Sequence, residues 1–309
     1  MNLKGKNILT LKDFSKQELE YLINLGIKIK KNPRKYQNKL KGKTLAMLFE
    51  KSSTRTRTSF EAGMTQLGGH AIFLDWNSSQ LSIGAELKDE VRSIERYCDA
   101  ISARVRKHST LEEIARFVKK PVINMLCEKY HPCQALGDMM TIKEKFGKLE
   151  GLKLVYTGIA NNVSNSLVEA GTKLGMKVTL AIPEKDLDAI DTELESQAKA
   201  TGLYEETKDI KSSLQDADII YTDTWVNMEF MNDPKFAKKK EKRIKRFMPY
   251  QVNAKLLEGT NVKIMHCLAA HVGYEITRDA IDHPNSIIFD QAENRLHIQK
   301  AILISLIGS

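Results

Sequence analysis

Five short segments of this 309-residue chain carry side chains that could do chemistry. The densest is Ser53-Thr54-Arg55-Thr56-Arg57, placed between an apolar run ending at Phe49 and a helical stretch. A helix N-terminus offers free backbone N–H groups and the positive end of the helix dipole, so it can hold a phosphate. Arginine adds bidentate, charge-assisted bonds to phosphate oxygens. One serine there would read as an N-cap and one arginine as a solvated side chain. Hydroxyl and guanidinium groups at five successive positions read as an oxyanion site. His131-Pro132-Cys133-Gln134 occupies another strand-to-helix turn, with Pro132 suited to a first helical position. His131 and Gln134 are three residues apart and can face one ligand, polarising a carbonyl and orienting an amide. Taken alone, His131 would read as a helix-start cap. Cys133 reads as packing, because no neighbouring base is evident. Arg104 ends a third apolar run, where open α/β sheets place ligands. Asp223-Thr224-Trp225-Val226-Asn227-Met228 follows a fourth, and its carboxylate can bind an ammonium or cap the next turn. His266-Cys267-Leu268 follows a fifth. His266 and His271 make a weak metal pair, since nothing completes a known ligand spacing.

The elements that position these segments alternate. Strands are expected at 44–49, 71–75, 100–105, 121–126, 152–157, 177–182, 219–222 and 262–267. Helices are expected at about 15–31, opened by a Ser15-x-x-Glu18 capping box, and at 55–67, 86–97, 111–118, 133–146, 165–174, 187–200 and 296–307. Strands alternating with helices of this length argue for parallel sheets covered on both faces. Two such series joined near 146–151 predict an α/β protein of two doubly wound domains, 1–146 and 147–295.

Composition bounds the function. Hydrophobic residues at 42% and charged residues at 28% exclude a disordered or fibrous chain. No apolar run reaches the roughly 18–20 residues that span a bilayer. Met1–Thr10 lacks the apolar stretch of a secretory signal, and Cys98, Cys127, Cys133 and Cys267 form no C-x-x-C pair, so a cytoplasmic protein with reduced thiols is expected. The net charge is +9, of which +7 sits between Lys235 and Arg246. That run reads as a solvated helix or loop face. Its single aromatic, Phe236, is no interleaved series, so nucleic-acid binding is disfavoured. No G-x-x-x-x-G-K-[ST] and no G-x-G-x-x-G is present, so neither a P-loop NTPase nor the usual dinucleotide site is indicated.

Together the five segments resemble the aspartate/ornithine carbamoyltransferase family, and its ornithine branch most closely. S-T-R-T-R and H-P-C-Q look like the carbamoyl-phosphate signatures, and D-T-W-x-x-M and H-C-L like the acceptor-side signatures. The resemblance implies an N-terminal carbamoyl-phosphate domain, a C-terminal acceptor domain, a last helix (296–309) packing back on the first domain, and a homotrimer. It implies that Ser53, Thr54, Arg55, Thr56 and Arg104 hold the phosphate, and that Gln80 reaches a neighbouring subunit's site. His131 and Gln134 would hold the carbonyl oxygen and amide, with Cys267, Leu268 and Arg295 closing the site. Asn162, Asp223, Asn227 and Met228 would bind ornithine, and Arg104, His131, Asp223 and Cys267 would be catalytic. The implied reaction carbamoylates the δ-amine of L-ornithine to L-citrulline and phosphate, with no metal or cofactor. Putrescine or an N-acylated ornithine is the alternative acceptor. Aspartate is disfavoured because Asp223 and Glu229 have the wrong sign for a dicarboxylate. Three departures stand out. Asn227 replaces the usual serine, Ala269 replaces a proline after His266-Cys267-Leu268, and the loop from Glu229 to Lys240 is longer than usual. The cis geometry of that proline would therefore be lost, or held by tertiary contacts.

Overall fold

The computed structural model describes residues 1–226 and 234–308. They form two compact units, Met1–Glu144 with the segment from Glu293 onward, and Lys145–Ala292.

The first unit holds a four-stranded parallel sheet, β1 (Thr44–Phe49), β2 (His70–Asp75), β3 (Ala100–Arg104) and β4 (Val122–Leu126), in the order β2-β1-β3-β4. Leu45 through Phe49 are buried, the near-continuous apolar run expected of a strand covered on both faces. The chain leaves β1 for β2 on one side and then returns to the other side for β3. The switch point of the sheet therefore lies between β1 and β3. Phe49 is level with Arg104, and Arg104 with Leu126, so the three strands end together. The capping box at Ser15 and Glu18 is present and opens the helix Lys16–Lys31.

The second unit holds β5 (Lys153–Ala160), β6 (Lys177–Lys185), β7 (Tyr204–Thr207), β8 (Ile219–Thr222) and β9 (Lys263–His266), parallel in the order β7-β6-β5-β8-β9. Its switch point lies between β5 and β8. Thr157 is level with Thr222, and Thr222 with His266. Register thus places Asp223 and Cys267 side by side.

The expected α/β class and paired parallel sheets are what the structure has. The edge strand β7 is not among the expected strands, since its exposed Glu205 and Glu206 leave it no apolar run, nor are the short helices Ile210–Ser213, Ala254–Leu257 and Arg278–Ile281 among the expected helices. Three expected elements differ in form. The helix expected over 187–200 is a 3-10 turn, Leu187–Ala189, and a separate helix, Thr192–Ala200, because Asp186 caps the first by accepting from Asp188 N and Asp191 the second by accepting from Leu194 N. The last helix starts at Ile288, not Leu296. Its first turns bury Gln291, Asn294 and Arg295, so apolar periodicity misses them. From Glu293 on, this helix belongs to the first unit. It is tied there by Asn294, which donates to Thr141 Oγ1 (2.9 Å) and Glu144 Oε2 (2.7 Å) and accepts from Lys30 Nζ (2.8 Å). Gly137 leaves room beside Arg295 Cδ and Ile298 Cγ2. Third, the basic run forms a helix, Ala237–Phe247, that is only partly a solvated face. Arg243 and Arg246 both donate to Glu184, at 2.9 and 3.1 Å.

At the end of β5 the register slips between Thr157 and Ile159, and the intervening Gly158 has φ +117°. A Cβ there would lie 3.0 Å from Trp225 Nε1. Both the backbone and the neighbouring ring exclude a side chain. Gly158→Ala should lower the unfolding free energy by about 1–3 kcal/mol, read as a reduced urea midpoint at unchanged slope.

Candidate functional site

In the first unit the site grows from the common strand ends. Ser53 is the N-cap of the helix Thr54–Gln66. Its Oγ accepts from Thr56 N (3.3 Å) and donates to Thr56 Oγ1 (3.0 Å). Thr54 and Arg55 are exposed at the first turn, and Thr56 is buried. Arg57 is directed elsewhere, pairing with Glu61 (2.9 Å) and stacking on Phe73 (3.7 Å to the ring centre). The five-residue run therefore contributes one guanidinium to the turn and not two. Arg104 ends β3. His131 and Gln134 are buried at the start of the helix Pro132–Phe146.

Arg295 ties these pieces together. One guanidinium N–H₂ donates to Gln134 Oε1 at 2.5 Å and the other to Thr56 Oγ1 at 3.2 Å. Gln134 Nε2 in turn donates to Asp138 Oδ1 at 2.8 Å. His131 is only 5% exposed. Burial, and then the charges of Arg295, Arg104 and Arg55, hold its pKa well below that of a free imidazole. At neutral pH it is uncharged, a hydrogen-bonding group in a cationic pocket. Burial pushes the Cys133 thiol up to about 12, and it donates to the Asn124 carbonyl, consistent with packing. Gln80 opens an exposed 3-10 turn, Gln80–Ile83, and the structure does not bring it to the Arg295 cluster of its own chain.

In the second unit, Asp223 stands just past β8 and is buried. Its Oδ1 accepts from Thr224 N (2.8 Å) and from the Cys267 thiol (3.1 Å), and its Oδ2 from Asn161 Nδ2 (2.7 Å). Asn161 caps the helix Asn162–Lys173, so its neighbour Asn162 is the first helical residue. The Asn161 side-chain oxygen accepts from the Val163 and Ser164 N–H groups, and lies 3.2 Å from Tyr156 OH, whose single proton is nearer the Ile159 carbonyl at 2.9 Å. That leaves its amide N–H₂ for Asp223. Burial, then the nearby Asp223, Cys267 and Glu275, raise the Tyr156 phenol well above its usual range, so it remains a donor. Sequence reading overlooked Asn161 and Tyr156. The signal available was the alignment of Asn161 with a helix start and Tyr156 with a strand.

The segment after β9 is held by a buried network. His266 N donates to Gln291, Gln291 donates to Tyr221, and Leu268 N donates to His266 Nδ1 (2.8 Å). His266 Nε2 meets Glu275 at 3.1 Å, and Glu275 accepts from His271 N at 2.6 Å. The Leu268–Ala269 peptide is cis although Ala269 is not a proline. Asp223, His266 and Cys267 bring possible ligand atoms within 4.8 Å. Both His266 ring nitrogens are engaged, so a metal there would have to break this network. Trp225 is buried against Phe247, and its carbonyl accepts from Arg243 (3.2 Å), which fixes the chain just past Asp223. The expected acceptor residues Asn227 and Met228, and Glu229, lie outside the described residues.

Residues 6–144 match the aspartate/ornithine carbamoyltransferase carbamoyl-P binding domain, and residues 150–306 the aspartate/ornithine carbamoyltransferase Asp/Orn binding domain. An ornithine carbamoyltransferase of Thermococcus kodakarensis is 45% identical, over 100% of this chain and 98% of its own. The solved ornithine carbamoyltransferase of Pyrococcus furiosus has a TM-score of 0.91 at 43% identity, covering 99% of this chain and 98% of its own. The anabolic enzyme of Campylobacter jejuni has a TM-score of 0.86 at 40% identity, covering 96% and 97%.

The lowered pKa of His131 makes stability depend on pH. Below the free-imidazole value, the unfolded chain binds a proton that folded His131 refuses. Its contribution is level above about pH 6.5, and stability falls as pH drops below that, by up to about 1.4 kcal/mol per pH unit. His131→Gln should flatten the fall between about pH 6.5 and 5.5, measured as urea midpoints of the two proteins.

Proposed function

The chain belongs to the aspartate/ornithine carbamoyltransferase family, and on that premise we propose that it transfers the carbamoyl group of carbamoyl phosphate to the δ-amine of L-ornithine, giving L-citrulline and phosphate. The observation that carries the acceptor side is the buried Asp223 carboxylate, held by Asn161, Thr224 and Cys267 at the ends of β8 and β9. A negative group fixed there suits an acceptor that bears an ammonium and repels a dicarboxylate.

In this reading the first unit is the carbamoyl-phosphate domain. Ser53, Thr54, Arg55, Thr56 and Arg104 take the phosphate, with the helix Thr54–Gln66 turning its N-terminus to it. His131, Gln134 and Arg295 take the carbamoyl carbonyl and amide. The second unit is the acceptor domain, with Asn162 and Asp223, and by their place in the sequence Asn227 and Met228, binding ornithine. The neutral δ-nitrogen attacks the carbamoyl carbon, and a tetrahedral intermediate forms. The C–O bond to phosphate then breaks, and the surplus proton on nitrogen goes to the Asp223–Cys267 pair. Positioning and preorganised hydrogen-bond donors supply the rate. No metal or redox group enters this scheme.

The working assembly is a homotrimer in which Gln80 serves a neighbouring site. The exposed Ile72, Ile83 and Tyr97 of the first unit are consistent with a surface of subunit contact. A cytoplasmic setting accords with four free thiols. Among the described residues no helix is long and apolar enough to cross a membrane.

An acceptor panel tests the reading. With carbamoyl phosphate, ornithine should give ureido product, while putrescine, N-acetylornithine and aspartate give little. Preferred turnover of putrescine or N-acetylornithine would replace ornithine as the substrate. Arg55→Ala and Arg104→Ala should each weaken carbamoyl-phosphate binding about 10- to 150-fold by calorimetry, the worth of a charged hydrogen bond. Asp223→Asn should leave that binding intact and collapse kcat/KM for ornithine. The rate at sub-saturating ornithine should climb between about pH 6 and pH 8 as the neutral amine becomes available.

A further inference from the structure

Gln134 is 1% exposed, and its two amide ends are differently engaged. Oε1 accepts from Arg295 at 2.5 Å, and Nε2 donates to Asp138 Oδ1 at 2.8 Å. Asp138 lies one helical turn beyond Gln134 in the helix Pro132–Phe146 and is fully buried. A primary amide is nearly symmetric in shape, so packing alone does not decide which end is oxygen. Chemistry decides it here. Turned over, the amide would set N–H₂ against a guanidinium and oxygen against a carboxylate. Both contacts would be repulsive where water cannot relieve them.

We propose that Asp138 is a positioning residue that locks the Gln134 amide with its oxygen toward Arg295, and that this lock makes the site select a donor bearing N–H, a carbamoyl group, over an acyl group of the same shape. An amide oxygen accepts two hydrogen bonds. After Arg295, Oε1 can still accept one from the carbamoyl N–H₂. A methyl group in that place offers no donor and leaves the oxygen unsatisfied. With the amide reversed, the site would present N–H to the carbamoyl nitrogen and lose its preference. The inference rests on the reading of the first unit as the carbamoyl-phosphate domain, and assigns within it the origin of amide recognition. It needs Asp138 to act through Gln134 and not on the ligand.

Phosphonoacetamide and acetonylphosphonate share a phosphonate and a carbonyl, and differ only by N–H₂ for CH₃. Calorimetry on the full-length protein should find phosphonoacetamide bound more tightly. In Asp138→Leu that preference should fall about tenfold, the worth of one hydrogen bond at a buried site, with acetonylphosphonate affinity nearly unchanged. Asp138→Asn should be intermediate, since its side-chain oxygen can still accept from Gln134, and it keeps the test decisive if the leucine variant fails to fold. A wild-type preference in either folded variant, or an equal loss of both ligands, overturns the role of Asp138. A wild-type protein that binds neither ligand overturns the reading of the domain itself, and the proposal with it.

Discussion

A buried guanidinium organises the first unit. Arg295 is 4% exposed, and a cation so placed loses several kcal/mol of hydration unless polar groups replace the water. The replacements come from separate parts of the chain. Thr56 belongs to the helix after β1, and Gln134 to the helix after β4. Behind Gln134, an Asp138 oxygen accepts from the other end of the same amide. Burial, and then the same cation with Arg104 and Arg55, keeps His131 neutral. The cluster is thus short of negative charge at its exposed edge, where the helix Thr54–Gln66 also presents its N-terminus. A dianionic phosphate would complete it, and its arrival would ease the pressure that keeps His131 deprotonated.

Arg295 can reach Thr56 and Gln134 because parallel strands of matched register deliver their following segments to one level. Phe49, Arg104 and Leu126 end β1, β3 and β4 side by side. The second unit repeats the device. Thr157, Thr222 and His266 are level, so Asn161 and Cys267 both emerge within hydrogen-bonding distance of Asp223. In both units the cluster lies at the point where strand order reverses, the place where an open α/β sheet leaves a crevice at its carboxyl edge.

Alternating apolar runs made most strands and the longer helices legible in the sequence, because burial on both sheet faces demands them; the edge strand β7, with Glu205 and Glu206 exposed, carries no such run. Reading failed where the signal was polar. The first turns of the last helix bury Gln291, Asn294 and Arg295 and so carry no apolar stripe. Arg57 shares its motif with Arg55, yet an acid one turn later and a ring alongside draw it away. Asn161 and Asn162 are indistinguishable as residue types. Only the position of the helix start makes Asn161 the cap, and only then does its amide reach Asp223. The basic run looks like a solvated face until Glu184, about sixty residues earlier in the chain, is seen to hold two of its arginines. These are facts of tertiary pairing, which composition and spacing do not encode.

The two clusters carry opposite charge, and this matters for the chemistry proposed. An alkyl amine is protonated at neutral pH, with a pKa near about 10.4. A carboxylate that attracts the ammonium also stabilises the form that cannot attack. Asp223 meets this conflict by being heavily committed before any ligand arrives, since Asn161, Thr224 and Cys267 all donate to it. Each donor occupies a lone pair that an ammonium would otherwise take. The thiol adds a second site through which a proton can be shared. An amine brought there is drawn in by charge but not paired as tightly as by a bare carboxylate. The Val163 and Ser164 N–H groups hold the Asn161 oxygen, which turns its amide N–H₂ to Asp223 and maintains that balance.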